Sequence, residues 1–600
     1  MKKNHSKIVS LILVFAMVFS LVACSSGSGT ATVEKPKEEK TEAKGNGTYE
    51  GKADGFDGDV KATVTLKDGR IEDLKVEAKG ETPTIGGAAI NSLTEKIIKA
   101  QSTQLDVVSG ATFSSKALFE AVNEALKAGG IDPSQLKPVE STDEKIELNQ
   151  EADVVVVGAG GAGLTAAITA KESGKSVIIV EKATSPGGNT NRATGGMNAA
   201  QTHYQKEQGI EDTVESFYED TMKGGHDINN KELVKKLAES SSSAIDWLDS
   251  IGAKLSNVGL AGGASYPRQH RPVDENGKIV SVGTYLVEKL SAEAKKAGVK
   301  TIYGAQVDEI LMDKGMASGV TANTADGKLT IKAKAVIVAS GGFGGSDELV
   351  SKYRPELKGY VSTNAPTITG DAIAFLEKVN ANFVDMEQIQ THPTVVQKDG
   401  SLVSESLRGD GAILLNKEGL RFIDEMETRD TVSNAINEQT DKTAWLVVDQ
   451  GMYDESKVVQ KYVSQGLLNK ADDFSAVAKI IGSDEGNVEK SITTWSTYVA
   501  NNEDPDFNHK NLDVIKHDLS SGPYYVGPVG PGIHHTMGGV EIDTNAKIID
   551  TNGNPIPGLF AAGEVTGGVH GGNRLGGNAV ADIVVFGRVA GQSAIDYLKK

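Results

Sequence analysis

Cysteine is almost missing from this chain: Cys24 is the only one in 600 residues. A single thiol excludes an intrachain disulfide, a thiolate metal cluster and a Cys-x-x-Cys-His haem attachment. Positive charge is also in short supply. The 62 Lys and Arg against 81 Asp and Glu leave a net charge of −19, which argues against a nucleic-acid partner and repels an anionic membrane surface. A membrane-spanning run is lacking too. The apolar stretch from Ile8 to Ala23 falls below the ~20 residues that a spanning helix needs. With Lys2, Lys3 and Lys7 ahead of it and small polar residues behind, it reads as a signal peptide over residues 1–23, an uncleaved anchor helix being the bland alternative.

What the chain has in quantity is glycine, 68 residues in clusters, as phosphate-cradling loops require. Six hundred residues are too many for one core, so two or more domains are expected. A hydrophobic content of 38% with 24% charged residues is ordinary for a globular protein. Residues 24–47 are Ser/Gly-rich and then Lys/Glu/Thr-rich, the composition of a disordered tether. Leu21-Val22-Ala23-Cys24 resembles the lipobox of bacterial lipoproteins. That resemblance implies a lipid on Cys24, a membrane anchor and an extracytoplasmic location.

Residues 48–135 pattern as a small α+β unit. Tyr49-Glu50-Gly51 and the alternation Val60 to Leu66 suggest strands, Lys67-Asp68-Gly69-Arg70 is hairpin chemistry, and Ile71 to Val76 returns. Asn91 to Ala100 reads as a helix. Ser114, Ser115 or a neighbour opens another over Lys116 to Lys127. Between them lies Asp106-Val107-Val108-Ser109-Gly110-Ala111-Thr112. Taken alone, its Ser and Thr cap a helix. The stretch resembles the FMN-binding domain of membrane redox complexes and extracellular flavoproteins, in which a flavin transferase links FMN to threonine through a phosphoester. It implies covalent FMN on Thr112, with Gly110 and Ala111 leaving the hydroxyl uncrowded.

After a linker over 136–150, a new domain opens at 151. Asp153 to Val157 is a buried parallel strand running into Gly158, Gly160 and Gly163. The first glycine makes the turn, the second admits a pyrophosphate, and the third allows close helix–strand packing. A helix over Thr165 to Ser173 points its N-terminal amides at the phosphates. Val177 to Val180 is the second strand, and Glu181 at its end suits ribose hydroxyls. Gly187-Gly188-Asn189-Thr190, Ala335 to Phe343, Gly558 to Glu564 and Arg574 to Ala579 resemble segments of the fumarate reductase and succinate dehydrogenase flavoprotein family. They imply non-covalent FAD held also by Asn189, Thr190, Gly342, Glu564 and Leu575. The expected architecture is α/β. A Rossmann-like FAD-binding domain (151–386 and 534–600) carries an inserted α+β capping domain (387–533), and a small α+β FMN-binding domain precedes it.

From about Ala152 onward the resemblance sharpens to the soluble, single-chain fumarate reductases related to flavocytochrome c. Its segments are Thr391-His392-Pro393-Thr394, Glu405, Arg408, Thr428-Arg429-Asp430, His534-His535-Thr536-Met537-Gly538-Gly539 and Asn573-Arg574-Leu575-Gly576. It implies that His392, Ser404, His534 and Arg574 bind substrate carboxylates. Arg429 becomes the proton donor, resupplied through Glu405 and Arg408. Thr536, Met537 and Gly538, with Glu564 and Thr566, resemble a backbone-carbonyl sodium site. His535 stays outside the catalytic set, and Met316 reads as core. The chemistry suits the set: reducing an activated C=C bond takes a hydride on one carbon and a proton on its neighbour, with donors on the carboxylate that takes up charge. An arginine pKa near or above about 12.5 leaves two routes open. Arg429 gives the proton, or water or Glu405 gives it while Arg429 positions.

Relatives in that family reduce urocanate, acrylates or cinnamates. His392 and Glu405 are the fumarate-type choices, where urocanate reductases carry Tyr and Asp. Ser404 stands where Thr is common, and Leu260-Ala261-Gly262-Gly263 lacks methionines found in some members, which widens the expected pocket. An FMN-binding domain takes the place of the family's haem domain. The expectation is therefore a relay from a membrane quinol- or NADH-linked donor chain through FMN and FAD to fumarate, giving succinate in anaerobic respiration, with another enoate (urocanate, acrylate, methacrylate or cinnamate) as the alternative acceptor. A surface flavoprotein electron carrier and an L-aspartate-type oxidase are the alternatives of other classes.

Overall fold

The computed structural model describes residues 45–599 apart from 57, 79, 82–85, 106, 109–110 and 137–144. The expected signal peptide, Cys24, most of the tether, Asp106, Ser109 and Gly110 lie outside the described residues. Gly45 to Gly47 do not behave as tether. Gly45 is buried, its amide donates to Gly129 O at 3.1 Å, and Gly47 opens the first strand.

The N-terminal unit is an antiparallel sheet of Gly47–Asp54, Asp59–Lys67 and Arg70–Glu77 in sequential order. Asp68 and Gly69 both take positive φ, 51° and 74°, the two left-handed residues of a tight hairpin turn. Val60, Ala62, Val64 and Leu66 share one buried face, as a two-residue period requires. They pack beneath helices Ala88–Ala100 and Thr112–Ala128. The second helix begins at Thr112, not at Lys116 as expected. Ser114 and Ser115 therefore sit inside its first turn and do not cap it. Ser115 Oγ donates to Ala111 O at 2.7 Å and accepts from Val108 N at 3.1 Å, so the hydroxyl fastens the preceding loop to the helix.

The larger unit is built on a parallel sheet. Val154–Val157 pairs on one side with Ala335–Val338 and on the other with Val177–Val180; Leu559–Ala561 and Lys300–Ile302 extend it. Both faces of these strands are covered, which is why they read as unbroken Val/Ile runs. The helix Gly161–Glu172 crosses Asn578–Leu598 at close range: a Cβ on Gly587 or Gly591 would lie 2.8 or 2.6 Å from the carbonyls of Ala162 and Ala166. Gln306–Asp313, Met316–Thr324 and Gly327–Val338 form an antiparallel extension. Its hairpin end leaves Met312 and Met316 exposed, Met316 at 41%, so Met316 is surface and not core.

The chain leaves this sheet through the strand Ile389–Val395 and returns through Tyr524–Thr536. The two strands pair with each other, Gln390 opposite His535 and Thr391 opposite Ile533. Between them a separate core gathers residues from Val396 to Val529 around the strands Ile413–Leu415 and Ala444–Asp449. Functional side chains on the paired strands therefore stand at the seam of the two cores. Among the described residues no helix is long and apolar enough to cross a membrane.

Candidate active site

Two cavities adjoin at this seam and share Asn189, Thr190, Glu564 and Ile583 as common wall. The first follows the glycine turn. Gly158 has φ +105°, and a Cβ there would meet Ala339 O at 2.4 Å; one on Gly163 would meet Gly158 O at 2.0 Å. Gly160 differs. Its nearest atom would be 3.8 Å away, which leaves the backbone open for a phosphate to approach. The two Glu181 oxygens accept from Ala159 N and Ala183 N, each at 2.7 Å, and hold the carboxylate on the cavity wall with lone pairs to spare for ribose hydroxyls. These residues would hold a dinucleotide along the first cavity, and Asn189 stands on the wall that the two cavities share. Asn189 Nδ2 donates to Glu564 Oε2 at 2.9 Å, and Thr190 Oγ1 accepts from Gly161 N at 3.0 Å.

Two of the residues expected at the flavin are absent from the walls of both cavities. Ser340 and Gly341 line the cavity, whereas Gly342 packs on Thr536, whose Oγ1 would be 2.0 Å from a Cβ there. The Leu575 side chain lines neither cavity; it is wedged against Gly224 and Gly263. Burial raises the Glu564 carboxyl above its ordinary range, against donors from Asn189 and Thr536. The segments of the expected sodium site do meet: Thr536 N donates to Glu564 Oε1 at 3.2 Å, and Val540 bridges to Thr566. Met537 and Gly538 lie between them in the chain.

His392, Ser404, Glu405, Arg429, His534 and Arg574 all line the second cavity. His392 is buried and receives the Thr394 amide on Nδ1 at 3.2 Å. Its hydrogen therefore sits on Nε2, which has no partner among the described residues. The imidazole is neutral, because burial first, and then the guanidinium of Arg429, hold its pKa well below the usual histidine range. His534 lies edge-on to it at 5.0 Å and is kept neutral by burial and by Arg429 and Arg574. Its Nδ1 is 2.7 Å from Thr363 Oγ1. Arg574 donates Nη1 to Leu575 O at 3.1 Å, and its Nε has no partner among the described residues. Burial and Arg429 together depress its pKa well below the ordinary arginine value. Ser404 Oγ stands 2.8 Å from Ser406 Oγ.

Behind these donors runs a buried chain of alternating charge. Arg429 Nε donates to Glu405 Oε2 at 2.7 Å, Nη2 contacts the same oxygen, and Nη1 donates to Gln390 at 3.1 Å. Arg408 does not line the cavity. It stands behind Glu405, with Nη2 3.6 Å from Oε1 and Nη1 on the Glu425 carbonyl. Burial opposes ionisation of Glu405, but Arg429 and Arg408 outweigh it and bring the carboxyl below its ordinary range.

Sequence reading missed several parts of this site. Gln390 orients Arg429 and donates to Arg574 O at 2.7 Å; its place opposite His535 follows only from strand pairing. Gly262 and Gly576 close on Glu405 from both sides: a Cβ on either would lie 2.4 Å from a carboxylate oxygen. His535 also lines the cavity, with its ring 5.3 Å from His570, which reaches Asp582 at 3.2 Å.

Known proteins resemble this chain in sequence and fold. The family described as FAD binding domain matches residues 153–580, and FMN-binding domain matches residues 55–127. The NADH:fumarate oxidoreductase of Klebsiella pneumoniae (strain 342) is 40% identical over 532 residues, covering 88% of this chain. The match spans 56% of that relative, little more than half its length. The fumarate reductase (cytochrome) of Shewanella frigidimarina is 45% identical over 450 residues, 75% of this chain and 78% of its own. The urocanate reductase of Eggerthella lenta is 36% identical over 600 residues and 96% of both chains. The solved open conformation of a flavocytochrome c3 fumarate reductase superposes with a TM-score of 0.62 at 40% identity, over 78% of this chain and 85% of the other.

Proposed function

The chain belongs to the flavocytochrome-type fumarate reductase family of FAD-binding oxidoreductases and carries an FMN-binding domain ahead of it; from that premise we propose that it reduces the C=C bond of fumarate to give succinate. The observation that carries this reading is the set of anion-binding donors that converges on the second cavity. Arg429, Arg574, His392 and His534 line it, while the acids on its wall are already engaged or held towards their neutral form: Glu405 lies against Arg429 and Arg408, Asp582 reaches His570, and burial raises the Glu564 carboxyl. A dianionic substrate answers that donor set. His392 Nε2–H and the Ser404 hydroxyl hold one carboxylate. Arg574 and His534 hold the other and stabilise the charge that builds on it.

FAD, when bound, supplies the hydride that reduces one alkene carbon. Arg429 gives a proton to the neighbouring carbon, a carbanion-like acceptor far more basic than a guanidine, and the hydride and proton together convert fumarate to succinate. Glu405 then passes a proton from Arg408 back to Arg429. The FAD and FMN domains on one chain support an electron route through FMN joined to Thr112 by a flavin transferase, fed by a membrane donor chain. The lipobox supports attachment through a lipid on Cys24 and an extracytoplasmic location.

A second reading keeps the mechanism and changes the acceptor to another enoate, such as urocanate; the full-length likeness to a urocanate reductase favours it. One experiment separates them. The doubly flavinylated protein is reduced anaerobically, and flavin reoxidation is followed on adding fumarate, urocanate, acrylate, methacrylate or cinnamate. Rapid reoxidation by fumarate alone supports the first reading, and by another enoate the second. No reoxidation by any of them would leave a surface electron carrier.

A further inference from the structure

Large apolar side chains stand exposed beside the flavin-attachment threonine. Phe113, which follows Thr112, is 71% exposed, Phe56 is 46% exposed, and Val107 of the same loop is exposed as well. The two phenyl rings lie 6.3 Å apart. Their pairing is built, not incidental. The buried Glu81 carboxylate accepts Phe56 N on one oxygen at 2.7 Å and Ser114 Oγ on the other at 2.6 Å. One anion thus clamps both segments that carry the rings. Exposed aromatic surface held in place by a buried carboxylate marks a binding face.

A lysine of the capping domain faces Phe56. Lys461 places Nζ 5.3 Å from the centre of the Phe56 ring, within cation–π range. Lys461 belongs to the helix Lys457–Ser464, which also contacts residues that line the second cavity. The neighbouring Tyr462 is buried; its hydroxyl accepts Ser404 N at 3.1 Å and bonds Thr194, and both partners line that cavity. The first turn is tied down too: Lys457 N donates to Ile279 O at 3.2 Å, close to the lining residue Val282. The helix Lys457–Ser464 therefore contacts Phe56 through Lys461 and the wall of the second cavity through Tyr462.

We propose that the helix Lys457–Ser464 is the docking seat of the FMN-binding domain, with Phe56 and Phe113 as the platform for the flavin carried on Thr112 and Lys461 as the cation facing it. The proposal rests on FMN being attached at Thr112. Flat aromatic faces suit an isoalloxazine ring, and the ammonium group favours the anionic reduced form of that ring over the neutral oxidised one. Through Tyr462, the same helix connects the docked domain to the backbone of Ser404.

The test uses the full, doubly flavinylated chain with p-benzoylphenylalanine in place of Phe56, which keeps an aromatic ring there. Illumination should cross-link position 56 to the 457–464 peptide as the main product, mapped by mass spectrometry. Lys461→Glu should cut that product at least fivefold, shift the FMN midpoint potential to more negative values and slow FMN-to-FAD electron transfer at least tenfold. Lys461→Arg should restore all three. Turnover driven by a dye that reduces FAD directly should stay within twofold throughout. Cross-links that map elsewhere, or a Lys461→Glu protein with unchanged potential and transfer rate, would overturn the docking seat. Thr112→Val tests the underlying relay separately: unchanged turnover with the membrane donor would sink the relay, and the docking proposal with it. Lost turnover beside a failed cross-link would sink the docking seat alone.

Discussion

Arg429 Nε stands 2.7 Å from Glu405 Oε2, and this contact is held by glycine. Gly262 and Gly576 lie so close that a Cβ on either would be 2.4 Å from a Glu405 oxygen. A one-carbon side chain at Gly262 therefore has to push the carboxylate off Arg429. Gly262→Ala should lower kcat on the order of a hundredfold, as small misplacements of reacting groups do, while KM for fumarate stays within a few-fold. Steady-state kinetics with a dye donor check this. A change in KM alone would place Glu405 outside the proton path.

Thr363 sets which nitrogen of His534 carries the hydrogen. Its hydroxyl lies 2.7 Å from His534 Nδ1 and 3.2 Å from Ile533 O, and it has one hydrogen to give. A carboxylate needs Nε2–H from His534, so substrate binding requires Thr363 to donate to Nδ1. Thr363→Val should raise KM for fumarate about five- to tenfold, near the worth of one hydrogen bond, and Thr363→Ser should restore it. Equal losses in both variants would assign Thr363 to packing.

His270 makes stability depend on pH. It is fully buried between Thr202 Oγ1 at 2.7 Å and Arg268 O at 2.8 Å, and burial pushes its pKa down to about 4. The unfolded chain binds this proton near pH 6.5, so between pH 6.5 and 4 the unfolded state holds more protons. Stability from this group is complete above pH 6.5 and falls as the pH drops towards 4, by about 3 kcal/mol. His270→Gln should flatten the fall of apparent Tm over that window. His392, His534 and His535, also held well below their ordinary range by burial, leave a residual slope of the same sign. An unaltered slope in the variant would count against a buried neutral His270.

Ser115 fastens the loop ahead of Thr112 through Val108 N. Ser115→Ala should loosen that loop at a cost of about 1 kcal/mol and reduce covalent FMN by at least half. Intact-protein mass after co-expression with a flavin transferase measures it. Full incorporation would show that the loop needs no such tie.

The strand–turn–helix around Gly158, Gly160 and Gly163 was legible in the chain because each requirement is local: a buried strand, a turn with positive φ, an open backbone and an acid at the next strand end. The carboxylate-binding residues were legible only through resemblance, since no spacing rule connects His392 with Arg574. Where local and tertiary demands competed, local reading failed. Ser114 and Ser115 look like helix caps, but their hydroxyls go to Glu81 and to the Val107–Ala111 loop, so the helix starts at Thr112. Met316 looks like core but ends a projecting hairpin.

The sequence by itself determined the two nucleotide-binding patterns, the helix and strand periods and the class of charged side chains available, because those depend on neighbours within a few residues. Only the tertiary structure decided that Gln390 and Gly262 hold the Arg429–Glu405 pair, that Arg408 stands behind it, and that Lys461 faces Phe56. These depend on strands and helices distant in the chain closing on one seam, where burial and unscreened charge give each contact its strength.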